Sequence, residues 1–185
     1  MKALIASDLH GDADCCAALL EKYREEQADE LVLLGDLLYH GPRNDLPAGY
    51  RPKEVIALLS ALSPAPLCVR GNCEAEVDQM VLPFPVMAEY AQLVWDEIPI
   101  FATHGHHHSP ENLPPLRPGA VFLYGHTHLY EARVNEGGVL LLNPGSVSLP
   151  KGGNPKSYAV YENGCFTVKD FAGNVLAEIR DMGTF

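Results

Sequence analysis

The chain lacks any long apolar run. Stretches such as "LVLL" at 31–34 and "VFLY" at 121–124 stop at a glycine or a polar side chain, whereas a bilayer-spanning helix needs about 20 apolar residues. Positive charge is also scarce: 13 Lys+Arg stand against 24 Asp+Glu, a net charge of −11. That balance excludes a broad electrostatic grip on nucleic acid or on an anionic membrane surface. It leaves room for a small anion held by metal ions, because local charge can oppose the net. Cysteine has no pattern. Cys15, Cys16, Cys68, Cys73 and Cys165 make an odd number, with no disulfide framework and no Cys-x-x-Cys pair. Reduced thiols and a cytoplasmic setting follow as the expectation. No leader is read in "MKALIASDLH", whose apolar run meets Asp8 and His10 too soon. Linkers, repeats and low-complexity segments are missing too. One domain over residues 1–185, large enough for its own core, is expected.

Histidine, by contrast, is concentrated. "FATHGHHHSP" carries His104, His106, His107 and His108, and "LYGHTH" adds His126 and His128; only His10 and His40 lie elsewhere. Imidazole is the commonest protein metal ligand, but a site needs a few ligands aimed at one point rather than many in a row.

Periodicity supplies the frame. "KALIAS", "LVLL" and "PLCVR" read as buried strands. "DADCCAALLEKYREEQADE" and a segment from Pro52 to Leu62 read as helices between them. This βαβαβ rhythm implies a parallel sheet. In the second half "AQLVWDE", "IPIFATH" and "AVFLYGH" read as strands with little helix between. Hairpins are expected to turn at Glu136-Gly137-Gly138 and at Asn163-Gly164. Two sheets packed face to face, with helices outside, fit both halves.

The informative fact is where polar residues fall. Asp8 and His10 follow the first strand, Asp36 the second, Asn72 the third, His104 the "IFAT" strand, and His126 and His128 the "VFLY" strand. In open α/β sheets the carboxyl ends of strands face a common crevice. One edge therefore receives carboxylate, amide and imidazole donors together. Imidazole with carboxylate suits Mn, Fe or Zn better than Ca or Mg. The number of donors exceeds one tetrahedral shell and suits two ions with a bridging carboxylate. Asp36, on a central strand end, is the expected bridge. Asp8-x-His10 is expected to chelate through extended i, i+2 geometry. Each feature also has a plain structural reading: helix N-cap for Asp8 or Asp36, turn residue for Asn72, hydrogen-bonded core for a lone histidine. The ordered set is what points to a metal centre.

Asp8-x-His10, Gly35-Asp36, Gly71-Asn72-x-Glu74, His104 and Gly125-His126-x-His128 together resemble the calcineurin-like metallophosphoesterases. "GDLLYHGPRNDLP", "VRGNCEAEVDQM" and "NPGSVSLPKGGNP" are similar to small bacterial phosphodiesterases of that family. The resemblance implies a four-layer α/β/β/α sandwich of two mixed sheets. It implies two divalent ions, Mn²⁺ first and Fe or Zn as alternatives. Asp8, His10, Asp36 and His128 would hold one ion, and Asp36, Asn72, His104 and His126 the other. The implied function is metal-dependent hydrolysis of a small phosphodiester, with a water activated at the two-metal site. Asn72 would assist at the phosphate. Cys73 stands where most of the family has histidine; it is either a weak proton donor to the leaving group or a small lining residue without a chemical role. Arg43, in the loop after Asp36, reads equally as a phosphate contact and as a surface charge, so no substrate-binding residue is assigned. Of the histidine run, His104 is the expected ligand, His106 a flanking or substrate-side residue, and His107 and His108 exposed or at the mouth. The rival from another class is a protein-interaction scaffold with vestigial activity, against which stands a complete set of ligand types. No membrane partner is expected, and homo-oligomerisation is left open.

Overall fold

The computed structural model describes residues 1–180. Its elements are β1 (Lys2–Ala6), α1 (Ala13–Glu25), β2 (Glu30–Leu33), α2 (Pro52–Ser60), β3 (Leu67–Cys68), α3 (Glu76–Val81), β4 (Tyr90–Trp95), β5 (Ile98–Thr103), β6 (Val121–Leu123), β7 (Tyr130–Val134), β8 (Leu140–Pro144), β9 (Ser157–Glu162), β10 (Cys165–Asp170) and β11 (Val175–Ile179). They form two mixed sheets, β11-β10-β9-β1-β2-β3 and β4-β5-β6-β8-β7. No helix among the described residues is long and apolar enough to cross a membrane.

Strand alternation builds the layers. Leu4 and Ala6 of β1, and Leu31 and Leu33 of β2, pack with Cys16 and Leu19 of α1 and with Val55 and Leu59 of α2. Ala3, Ile5 and Val32 point the other way, onto Ile100, Leu123, Leu140 and Leu142 of the second sheet. Each fully buried aliphatic side chain contributes roughly 1.5–3 kcal/mol, so a one-residue slip, which would swap every face, is strongly disfavoured. The second sheet's outer face carries Phe101, Phe122 and Leu141, covered by Leu113 and Leu116 of the irregular 104–120 connection. The fourth layer is thus irregular chain at that place.

The parallel first half and hairpin-rich second half do not sort one to each sheet. The β9–β10 hairpin pairs through β9 with β1, antiparallel, inside the first sheet. In the second sheet β5, β6 and β8 run parallel. Hairpin periodicity reports which neighbours pair, not which sheet they join. α3 and β11 went unread because one has only 6 residues and the other carries no fully buried residue.

Candidate metal centre

The ends of β1, β2, β3, β5 and β6 meet at one edge, where loops from the two sheets interlock. Asp8 N–H donates to Gly35 O (3.1 Å), His10 N–H to Asp36 O (2.8 Å) and Gly125 N–H to His104 O (2.7 Å). Across the sheets, His126 N–H donates to Asp8 Oδ2 (3.1 Å). The backbone there is not extended. Asp8, His10, Asp36, His126 and His128 have φ of 60°, 49°, 56°, 65° and 60°. The expected i, i+2 extended chelation is therefore corrected: Asp8 and His10 converge because both sit in the left-handed region, as do His126 and His128. Non-glycine residues there are held by their surroundings, and such strain clusters at functional sites.

Those surroundings are visible. Ser146 and Ser148 hydroxyls both donate to Asp8 O (2.9 Å each), and Ser7 Oγ donates to Asp8 Oδ2 (2.6 Å). Asn143 Nδ2 donates to Gly125 O (2.9 Å) and to Thr127 Oγ1 (3.0 Å), fixing the turn that presents His126 and His128. Gly125 is required, since a Cβ there would lie 1.9 Å from Ser7 Oγ. Buried Glu74 accepts the N–H groups of Asp36 (2.9 Å), Leu37 (2.7 Å) and Gly71, shaping the Asp36 turn from below. Burial, then the Asp36 charge, raise the Glu74 carboxyl to about 7 against the pull of those three donors. Gly35 lets this happen: at φ 91°, its Cβ would strike Gly71 N at 2.4 Å. The N-cap of α1 is Asp12, which accepts from Cys15 N–H (3.0 Å), so the capping reading of Asp8 does not hold.

The ring nitrogens are equally ordered. His10 Nδ1 pairs with Tyr39 O (2.9 Å), His104 Nδ1 with Leu34 O (2.6 Å) and His128 Nδ1 with Leu149 O (2.6 Å). A carbonyl only accepts, so Nδ1 carries the proton and Nε2 of each neutral ring keeps a lone pair. Those lone pairs face other acceptors. His128 Nε2 lies 3.2 Å and His10 Nε2 3.5 Å from Asp8 Oδ1, and the two nitrogens are 3.2 Å apart. His10 and His104 Nε2 lie 3.8 and 3.6 Å from Asp36 Oδ2. His104 Nε2 is also 3.1 Å from Asn72 Oδ1. Asp8 Oδ1 is buried and accepts no hydrogen bond. Acceptors turned on acceptors in a buried pocket require positive charge between them. Protons or metal ions can supply it, and imidazole with carboxylate is a donor set for borderline divalent ions. Three overlapping triads satisfy ligand spacing: Asp8, His10, His128; His10, Asp36, Cys73; and Asp8, Asp36, His104. Burial alone would raise the Asp8 carboxyl, but His10 and His128 outweigh it and hold it well below its ordinary value.

The remaining predicted residues are placed as follows. Asn72 is exposed, and its Nδ2 donates to Cys73 Sγ (3.2 Å). Cys73 is half-buried and its N–H donates to Asp36 Oδ1 (2.9 Å). Burial, then the Asp36 charge, push its thiol far above the ordinary range. His126 lies beside His104, ring centroids 5.1 Å apart. Burial and the charge of His104 lower its pKa, and exposed Arg43 adds to that, which puts Arg43 within electrostatic reach of the site. His106 is half-buried, with its ring 5.4 Å from that of His104; His107 is exposed; His108 packs edge-on to Phe101 at 5.5 Å. The clamp of Asn143, Ser146 and Ser148 escaped the sequence reading. The rule that located the other residues would have found it, since "LLLN" is another buried strand ending at the same edge.

A model of the calcineurin-like phosphoesterase superfamily domain matches residues 1–164, and the chain belongs to that superfamily. Within it, the chain is 47% identical over 168 residues to Phosphodiesterase YfcE of Escherichia coli strain K12, covering 91% of each chain. A solved structure of YfcE, a phosphoesterase from E. coli, superposes with a TM-score of 0.94 at 44% identity over 97% of this chain and 98% of that one. Vacuolar Protein Sorting 29 from Cryptosporidium parvum shares the fold at a TM-score of 0.62 and 19% identity, over 97% of this chain and 98% of that one.

Proposed function

We propose that the chain is a two-metal phosphodiesterase acting on a small phosphodiester. The observation that carries this is the convergence of lone pairs from Asp8, His10, Asp36, Asn72, His104 and His128, with Asp8 Oδ1 buried and unpartnered. Asp8, His10, Asp36 and His128 would hold one ion, and Asp36, Asn72, His104 and His126 the other. Mn²⁺ is the expected ion, with Fe or Zn as alternatives, on the strength of the mixed imidazole and carboxylate set. Ions so held lower the pKa of water and neutralise charge on phosphate oxygens.

The chain's own residues do the rest. The Nδ1 contacts to Tyr39, Leu34 and Leu149 carbonyls fix the three rings and keep Nε2 free for the site. Asn72 stands exposed at the opening, where its amide can meet a phosphate oxygen. As a thiol, Cys73 offers only a weak S–H. Exposed Arg43 lies within electrostatic reach of His126 and can add positive charge for an anionic substrate. The acidic surface favours a small substrate over a nucleic-acid strand. The reading treats residues 1–185 as one domain, supported by β1 sitting between β9 and β2, and places the protein in the cytoplasm on the strength of its free cysteines. The scaffold alternative draws on the shared fold with Vacuolar Protein Sorting 29 and on Cys73 as a weak donor.

The test is hydrolysis of bis-p-nitrophenyl phosphate by Mn²⁺-loaded protein, with EDTA and Asp36→Ala as controls. Turnover that EDTA abolishes supports the reading. Turnover no greater than that of the Asp36→Ala control overturns it.

A further inference from the structure

His106 and His107 remain outside the two-ion centre, yet they are not alone. Glu89, immediately before β4, places Oε2 2.8 Å from His107 Nδ1. Its other oxygen is held by Arg70 Nη1 at 3.0 Å. Glu89, His106 and His107 each offer one ligand atom, all within 4.8 Å of one another. The two rings lie 3.9 Å apart, and His106 Nδ1 is buried with no hydrogen-bond partner.

We propose that Glu89, His106 and His107 form a third divalent-cation site, selective for Zn²⁺ and ions of similar preference and separate from the two-ion centre. Two imidazoles and one carboxylate make a zinc donor set that leaves a fourth position for water. Ca²⁺ and Mg²⁺, which want oxygen shells, fit it poorly. Arg70 binds Oε1 and thereby aims Oε2, the kind of outer contact that orients a ligating carboxylate. The backbone is held as well: Thr103 Oγ1 donates to Glu89 O (3.1 Å) and Asn112 Nδ2 to His107 O (3.2 Å). The His106 ring lies 5.4 Å from that of His104, so an ion here adjoins the second half of the metal centre. The competing account of the same geometry is an ion pair of His107, Glu89 and Arg70 that binds nothing. The site stands on its own residues and does not depend on the hydrolase reading.

The experiment is calorimetric titration of the EDTA-treated, dialysed full chain with Zn²⁺ at neutral pH, repeated on His107→Ala and Glu89→Ala. His107 is exposed, so its variant is not expected to disturb folding. The wild type should take three equivalents. Each variant should weaken the third by at least about tenfold, the lower bound even for losing an outer contact. The first two equivalents and Mn²⁺-supported hydrolysis should stay as in wild type. Saturation of the wild type at two equivalents, or a third equivalent unchanged in both variants, overturns the proposal and leaves the ion pair. A His107-dependent equivalent without two others would count against the two-metal reading and not against this site.

Discussion

Replacing Asp36 by alanine separates what the carboxylate does for folding from what it does for metal. Asp36 is buried, with Oδ2 between His10 and His104 and Oδ1 accepting the Cys73 N–H. Removing it leaves that N–H without its partner, a cost of about 1–3 kcal/mol when fully buried and toward the low end here, since Cys73 is half-exposed. It also removes the charge that raises Glu74, which offsets part of the loss. The metal-free variant should therefore melt within a few degrees of metal-free wild type. With metal the two should part. Each ion at 100 times its Kd stabilises the folded state by about 2.7 kcal/mol. At about 2–4 °C per kcal/mol for a chain of this size, two ions raise the wild-type Tm by about 10–20 °C. The variant, lacking the shared ligand, should show a small fraction of that shift and should lose more than about a hundredfold in diester hydrolysis, beyond the range for an outer-contact loss. Differential scanning calorimetry with EDTA or with excess Mn²⁺ makes the comparison. A variant that keeps the full metal-induced shift would show that Asp36 does not join the two half-sites.

Three further outcomes are expected. Ser146→Ala with Ser148→Ala removes both hydroxyls from Asp8 O; this should cost about 1 kcal/mol per bond and lower metal affinity by about 10–100-fold, and unchanged affinity by titration calorimetry would refute the clamp. Without metal, burial opposes charge on His10, but the Asp8 carboxylate outweighs it and raises His10 above its ordinary 6.5. Such a group stabilises the fold below 6.5, and the gain is lost as pH rises through the folded value. Metal-free protein should thus lose Tm as pH climbs past neutrality, while Mn²⁺-loaded protein, whose ligand histidines must be neutral, gains; parallel melting profiles would contradict this. Cys73→His should speed hydrolysis of diesters with poor leaving groups more than activated ones, and an equal effect on both would remove any leaving-group role for this position.

The local pattern of the chain was enough to locate Asp8, Asp36, Asn72, His104, His126 and His128. Each follows a buried apolar run within a few residues, and strand periodicity with the break after it is carried over that short span. The same local signal marked the helix start at Asp12 and the turns at Asn163-Gly164 and Gly137-Gly138. Other features depend on residues that only folding brings together. Ser146 and Ser148 reach Asp8 across 138 and 140 positions, and Glu74 reaches the Asp36 turn across 38. The left-handed backbone at five of the predicted ligands could not be read locally, because a non-glycine residue adopts it only where distant partners hold it there. Glu89 shows the same limit: its carboxylate gains meaning from His107, 18 positions on, once β4 and β5 pair and bring the chain on either side of them together. Periodicity is a property of a segment and can be read from it. The aim of a buried donor is a property of everything packed around it, and that was decided by the tertiary structure.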